Sequence, residues 1–478
     1  MTEDRSTKTE TFSGGEVLFA GGTDWGFIGR NLGGSKKKGD ADADADRAEK
    51  FPNLLSPVRL KSLMDVKVQF IAAGSASCHC VIGDVEGRCY TWGRNEKGQL
   101  GHGDFLQRNI PTVVEGLKNV KIIGGAGGKH HTAVVSSDGD SYTFGSNKEG
   151  QCGTGVLKSN PKSEELLQSP VKALVSECTS VACGAEFTMW LCEGKLYSAG
   201  SPQYGQLGHG TDHEYNAKDS SVKIMYQAQP TPELIKGLAE KNIRVVACGH
   251  NHTLALDDAN AAYTWGNGGY GRLGHKEQKD EFSPKQVDTL KGRMPVDVNS
   301  PVACGATSSF CTMIGEQLVS WGKLKASGDN TMYPKVVYEL AGWKIRSITA
   351  GAYTFAAAAS SDADQSTITW GQAQHGELGY GPKGKKSSAN PDKCMALEGV
   401  YVHQVAMGIG YSMFLVDPEH PKVKDLEVFE PVEAVTELVN QPENDNGKGA
   451  AKGKGKAAGT KRKADSAAGG ARGKGKKA

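Results

Sequence analysis

The chain has no run of 18 consecutive apolar residues, roughly what a helix needs to cross a hydrocarbon core, and its opening MTEDRSTKTE lacks the apolar stretch of a secretory leader. A soluble, intracellular protein is expected. Its eleven cysteines include no Cys-x-x-Cys pair, so the closely spaced ligand pairs of a zinc site are missing. An odd count also suits a reducing compartment better than a disulfide framework. Aromatic residues make up only 7% of the chain, and no nucleophile with its own base stands out from the repeated background described below. Covalent catalysis is therefore unsupported, and neither a cofactor nor a metal is expected. What the chain has in abundance is glycine, 63 of 478 residues, which fits many short strands separated by tight turns, because turns demand glycine and element interiors resist it.

The glycines are periodic. A small-residue turn recurs at Gly74, Gly128, Gly184, Gly249, Gly305, Gly351 and Gly408, in steps of 46 to 65 residues. Six of these are followed by a second element whose closing glycine lies 16 to 20 residues on: Tyr90-Thr91-Trp92-Gly93, Tyr142-Thr143-Phe144-Gly145, Tyr197-Ser198-Ala199-Gly200, Tyr263-Thr264-Trp265-Gly266, Val319-Ser320-Trp321-Gly322 and Ile368-Thr369-Trp370-Gly371. The missing partner of Gly408 lies at the other end of the chain, where Val17-Leu18-Phe19-Ala20-Gly21 has no first half before it. Six whole units and two complementary halves predict a single seven-membered ring closed by its own termini, with Glu16 to Gly21 pairing with the strands of Tyr401 to Val416. Within one unit, Arg244–Gly249, His252–Leu256 and Ala262–Trp265 read as three strands, with a fourth around Pro284 to Val287. Small residues in the first strand suit blades that crowd at an axis, and Cys183, Cys248 and Cys304, each just before a turn glycine, fit there as small hydrophobes.

A third element, Gly-x-Leu-Gly, appears as Gly98–Gly101, Gly205–Gly208, Gly271–Gly274 and Gly376–Gly379, with Gly150-Gln151-Cys152-Gly153 and Trp25-Gly26-Phe27-Ile28-Gly29 as variants. The fifth unit departs from it, reading Lys323-Leu324-Lys325-Ala326-Ser327-Gly328 after Trp321-Gly322. Four regions follow: residues 1–15, expected to be disordered; the propeller, 16–417, with 30–57 an inserted loop; an acidic connector, 418–446, in which Pro431 to Leu438 is expected to form a short helix; and a disordered basic tail, 447–478. The tail holds eleven Lys or Arg and one Asp, net +10, and since the chain as a whole is +2, about −8 falls on residues 1–446.

Several apparent motifs dissolve in this frame. Gly266-Asn267-Gly268-Gly269-Tyr270-Gly271 has dinucleotide spacing but leads into a polar loop instead of a helix, and Gly124–Lys129 is a repeat turn whose next residue, His130, stands where a phosphate loop needs Ser or Thr. Asp40, Asp42, Asp44 and Asp46 imitate a calcium loop, but Ala45 and Phe51 occupy the places of its glycine and its bidentate glutamate, so a solvated charge run is expected. His102, His209 and His275 each follow a Gly-x-Leu-Gly turn, and three copies at one repeat position point to structural hydrogen bonding.

The repeats resemble those of the regulator of chromosome condensation family, over residues 16–417. More narrowly, Gly21–Trp25, Trp92–Asp104, Gly268–His275, Glu277–Glu281, Thr331–Lys335 and Gly342–Ser347 resemble its second, telophase-disc, member type. The resemblance implies an all-β, seven-bladed propeller and a non-catalytic interaction protein that regulates small GTPases of the Rac or Ral kind. It also implies attachment to chromatin, centromeres or spindle microtubules during mitosis, in the nucleus and partly in the cytoplasm. The alternatives are guanine-nucleotide exchange, for which no wedge can be placed from sequence, and, remotely, ultraviolet-B sensing. The expected partner face carries the loops Arg30–Pro57, Leu157–Pro170, Thr211–Pro232, Lys276–Pro284 and Pro382–Pro391, which leave from equivalent repeat positions. Lys276, Glu277, Lys279, Asp280 and Glu281 are the candidate partner contacts. In the tail, Lys452, Lys454, Lys456, Lys461, Arg462, Lys463, Arg472, Lys474, Lys476 and Lys477 are candidates for nuclear import or nucleic-acid binding, because clustered cations displace counterions from phosphates.

Overall fold

Each repeat folds as a four-stranded antiparallel sheet, and the fourth repeat shows why. Its strands are Ile243–Cys248, His252–Asp257, Ala262–Gly266 and Glu281–Gln286, hydrogen-bonded in chain order. The second and third are buried at every position, because neighbouring blades cover both faces; the outer strand, half covered, carries Glu281, Phe282 and Lys285. This is why the middle strands lack the apolar–polar alternation of a one-sided sheet. The computed structural model describes residues 12–30, 41–157, 165–218, 221–293, 300–325 and 329–433, apart from the side chains of 41–45.

Numbered along the chain, blades 1 to 6 run from Val68 to Val113, Ile122 to Lys172, Cys178 to Leu234, Ile243 to Gln286, Val302 to Val336 and Lys344 to Lys393. Blade 7 joins the two ends: Val402–Met407, Tyr411–Val416, Glu16–Gly22 and Asn53–Leu60, in that order. Glu16 opposes Val416 and Gly21 opposes Tyr411, so the expected closure is present. The innermost strand of each blade lies against that of the next all the way round, making a seven-bladed ring.

Three sequence signals acquire physical causes. At the axis the turns touch: a Cβ on Gly249 would lie 2.4 Å from the Gly305 carbonyl oxygen of the next blade and 2.2 Å from the His252 ring, so only glycine fits. At the third-strand end, Gly266 adopts φ +102°, where a side chain is strained, and a Cβ there would lie 2.6 Å from Asn251 O. Between blades, His79, His131 and His252 reach from one second strand to the next. Their Nε2 atoms lie 2.7, 2.9 and 2.9 Å from Thr132 Oγ1, Thr188 Oγ1 and Ser309 Oγ. Those hydroxyls in turn donate to Gln99 O, Gln151 O and Arg272 O of the Gly-x-Leu-Gly turns, so each histidine must be the donor. Trp265 and Trp321 Nε1 donate to the same turns, at Gln206 O and Arg272 O. We expect Gly249→Ala to cost about 1–3 kcal/mol by overpacking a backbone contact. A lowered urea midpoint checks this; an unchanged one would mean the axis can open at no cost.

Two expectations need correction and one needs detail. The connector does not simply follow the propeller: Pro421–Lys424 is helical with Val423 buried, and Val428–Phe429 forms a fifth, parallel strand against Arg59–Leu60 of blade 7. Pro431–Glu433 are not helical, and the rest of the proposed helix lies outside the described residues. The Asp-Ala run is not without structure, although residues 46–50 are exposed: Ala41–Lys50 is an α-helix whose Arg47 pairs with Asp24 at 2.5 Å and lies 3.8 Å over the Phe27 ring. Nor are all the cysteines thiols: Cys178 and Cys192, opposite each other in blade 3, form a disulfide, while the other nine are free and buried.

Candidate functional site

In an antiparallel blade, the first-to-second and third-to-fourth connections leave from the same end. The loops after the Gly-x-Leu-Gly turns therefore share one face of the ring with the seven turn glycines. Those turns are tied blade to blade by Lys129 N→Ala185 O, Ala185 N→His250 O, Ala306 N→Ala352 O and Ile409 N→Ser77 O, at 2.8–3.2 Å. At the centre of this face is a depression of about 790 Å³, lined among others by Lys129, Glu186, Tyr204, His250, Tyr353 and His375.

The loop bases are rigidly built. Thr264 Oγ1 donates to Leu273 O, and His275 Nε2 lies 3.0 Å from the same hydroxyl; Thr91 with His102 and Ser198 with His209 repeat the arrangement. Burial lowers the histidine pKa to about 4 at both His102 and His209. These rings are turn clamps. The thiols of Cys183 and Cys304, pushed up to about 12 by burial, are packing groups against the preceding blade, Cys183 on Ala126 and Ala133 and Cys304 on Leu254 and Leu256.

The five charged residues of the blade 4 loop do not act alike. Asp280 accepts the backbone N–H of Gly268 at 2.7 Å, and Glu281 opens the outer strand and pairs with Lys285 at 2.6 Å. Both belong to the loop's own architecture, which sequence alone did not reveal. Glu277 also reaches Lys285, at 3.1 Å, while Lys276 and Lys279 are exposed. Reversing all five charges would disturb the loop itself, so a binding test should keep Asp280 and Glu281.

Missed from sequence was the most prominent feature of this face. The Thr211–Pro232 insertion of blade 3 carries a separate two-stranded sheet, Glu214–Asn216 with Ile224–Tyr226. Tyr215, Val222, Ile224 and Met225 on it are exposed. The short β-prone run Ile224-Met225-Tyr226 was its signal, hidden among polar residues. The tail candidates Lys452, Lys454, Lys456, Lys461, Arg462, Lys463, Arg472, Lys474, Lys476 and Lys477 lie outside the described residues.

The RCC1-like domain family matches residues 107–420. The chain belongs to the RCC1-like family. It is 38% identical over 437 residues to Protein RCC2 homolog of Xenopus laevis, covering 87% of this chain and 81% of that one. Against Protein RCC2 of Homo sapiens it is again 38% identical over 437 residues, covering 87% and 80%. This RCC1-like chain is thus RCC2-like, in line with the resemblance drawn from Trp92–Asp104 and its companion strings. Among solved structures, Prp20p of Saccharomyces cerevisiae, studied for its binding to Gsp1p and histones, superposes with a TM-score of 0.63 at 18% identity, covering 87% of this chain and 94% of that one. That likeness concerns the fold. The family match begins only at the outer strand of blade 1, so the pairing of Glu16–Gly22 with Tyr411–Val416 extends the RCC1-like ring beyond it.

Proposed function

We propose that this RCC1-like protein is a non-catalytic regulator of a small GTPase, of the Rac or Ral kind, acting on chromosomes and the spindle in mitosis, and that the loop face receives the GTPase. The observation that carries this reading is the concentration of every third-to-fourth-strand insertion on one face around an open depression, with the exposed blade 3 hairpin standing beside it. Insertions gather where a repeat protein does its work, because loops accept binding residues without disturbing the core. Membership of the family supports the partner class, as does the binding of Gsp1p and histones by Prp20p. The basic tail then supplies nuclear import and a salt-sensitive attachment to chromatin.

Guanine-nucleotide exchange is the second reading, and the hairpin favours it: a projecting two-stranded element with Tyr215, Ile224 and Met225 exposed has the form of a wedge. Ultraviolet sensing draws no such support, since Trp92, Trp190, Trp265, Trp321 and Trp370 are buried between blades. Replacing residues 214–226 with a Gly-Ser linker is expected to reduce capture of Rac or Ral by at least about tenfold, as loss of one interface anchor does, with the melting temperature unchanged. Accelerated nucleotide release by the intact protein, lost in this variant, would establish exchange. Full capture by the variant and by Lys276→Glu/Lys279→Glu would remove the GTPase from this face.

A further inference from the structure

On the loop face, several arginines are neutralised where they stand. Arg30 pairs with Glu96 at 2.8 Å, Arg47 with Asp24 at 2.5 Å and Arg108 with Asp104 at 2.8 Å. Blades 5 and 6 break this pattern. The departure from Gly-x-Leu-Gly in blade 5 places Lys323 and Lys325 in its third-to-fourth connection, and the equivalent loop of blade 6 presents Lys383, Lys385 and Lys386. Among the described residues, only Lys385 of these five has a carboxylate partner, Asp392 at 3.3 Å. Across 323–330 and 380–392, five lysines stand against two aspartates, Asp329 and Asp392.

The loops are joined into a strip. Lys323 Nζ lies 4.9 Å from the ring centroid of Tyr270 in blade 4, and Lys325 Nζ donates to Asn390 Oδ1 of blade 6 at 3.2 Å. Tyr270 is 41% exposed, on a left-handed backbone with φ 62°. Leu324, between the two lysines, packs inward on the blade 5–6 core. The strip therefore offers a row of cations beside an exposed aromatic ring, and Leu324, the apolar side chain between Lys323 and Lys325, is turned inward instead of toward a lipid bilayer.

We infer that the adjoining loops of blades 4, 5 and 6 form a binding track for the backbone of single-stranded nucleic acid on the folded body, distinct from the basic tail. Lysines spaced along a rim meet successive phosphates, and an exposed ring beside them stacks on a base; that combination is how single strands are held without sequence preference. An acidic protein segment would use the charges but not the ring.

The test uses the full chain and fluorescence anisotropy with a labelled oligothymidylate about 20 nucleotides long, more than one common single-strand site. A glutamate peptide of matched charge runs beside it, each titrated across a salt series. The variant Lys323→Gln/Lys325→Gln/Lys383→Gln/Lys386→Gln should weaken oligonucleotide binding by about tenfold or more at low salt. It should also make the log–log salt slope shallower by about 3, from roughly 0.7 counterions per lost phosphate contact. Tyr270→Ala should weaken binding by about fivefold or more with the slope unchanged, because stacking releases no counterions. Peptide binding should be unaltered by Tyr270→Ala. Lys118→Gln/Lys121→Gln/Lys236→Gln/Lys241→Gln, on the opposite face, should match the parent. A slope unchanged in the first variant would assign all binding to the tail and overturn the track. Equal losses for peptide and oligonucleotide, with Tyr270→Ala silent, would make the strip a receptor for acidic protein segments and overturn the nucleic-acid assignment.

Discussion

Deleting residues 1–22 is expected to abolish cooperative thermal unfolding of the whole ring, not merely to trim one edge. Glu16–Gly22 is buried at every position and sits third in blade 7, hydrogen-bonded on both sides. Val17, Leu18 and Phe19 are each at most 2% exposed, and burying side chains of that size is worth ~1.5–3 kcal/mol apiece. Arg59 holds Glu16 through two hydrogen bonds, at 2.7 and 3.0 Å, and that pair would be left half-made. The sum approaches the about 5–15 kcal/mol that holds a typical domain together. Removing the strand also leaves Tyr411–Val416 and Asn53–Leu60 with open edges inside the ring, a route to aggregation. Differential scanning calorimetry should show the main transition lost, or shifted far downward with precipitation. A truncated protein that melts like the parent would refute closure by the N-terminal strand.

Mild acid should destabilise the protein more steeply than its carboxylates alone require. His79 and His131 are fully buried, and burial lowers the pKa of each from 6.5 to about 3; burial drives His252 down as well. The sign follows from linkage: these rings stay neutral in the folded ring but take up protons in the unfolded chain once pH falls below 6.5. Their contribution is therefore complete above 6.5 and is lost as pH falls toward 3. Each histidine costs about 1.4 kcal/mol per pH unit in that window, so His79 and His131 together remove ~5 kcal/mol between pH 6 and 4. Blade 3 provides the control, because Phe187 occupies the equivalent position and is fully buried. Urea midpoints at pH 7.5, 6 and 5 should fall less steeply for His79→Phe/His131→Phe than for the parent, whatever its stability at pH 7.5. Parallel slopes would show that these rings do not govern acid sensitivity.

The ring was legible in the sequence because its signals are steric and repeated. Turn glycines recur where blades meet, and the orphan Val17–Gly21 half announced its partner. The exceptions were written once each and had no second copy to reveal them. Val428–Phe429 adds a parallel strand through only two residues, and the blade 3 hairpin uses two three-residue strands. The candidate loop of blade 4 was located correctly in the repeat, but five charges read as one exposed string. Asp280 and Glu281 are tied to backbone and to Lys285, a distinction that depends on where Gly268 and the outer strand come to lie.

The shared blade has a consequence for synthesis. Glu16–Gly22 leaves the ribosome well before its neighbour Tyr411–Val416, with blades 1 to 6 between them, so blade 7 must wait until all six have emerged. Blades 1 to 6 are each continuous in sequence and can assemble in order as they appear, whereas the founding strand spends that time as an apolar segment without its partner. Closing so long a loop is the slow, non-local step in such a topology. It is also the interval in which an unpaired strand invites aggregation. Nascent chains stalled before residue 411 should therefore remain protease-sensitive at Val17–Phe19 while blades 1 to 4 are already protected, making completion of the ring a checkpoint passed only once Tyr411–Val416 has emerged.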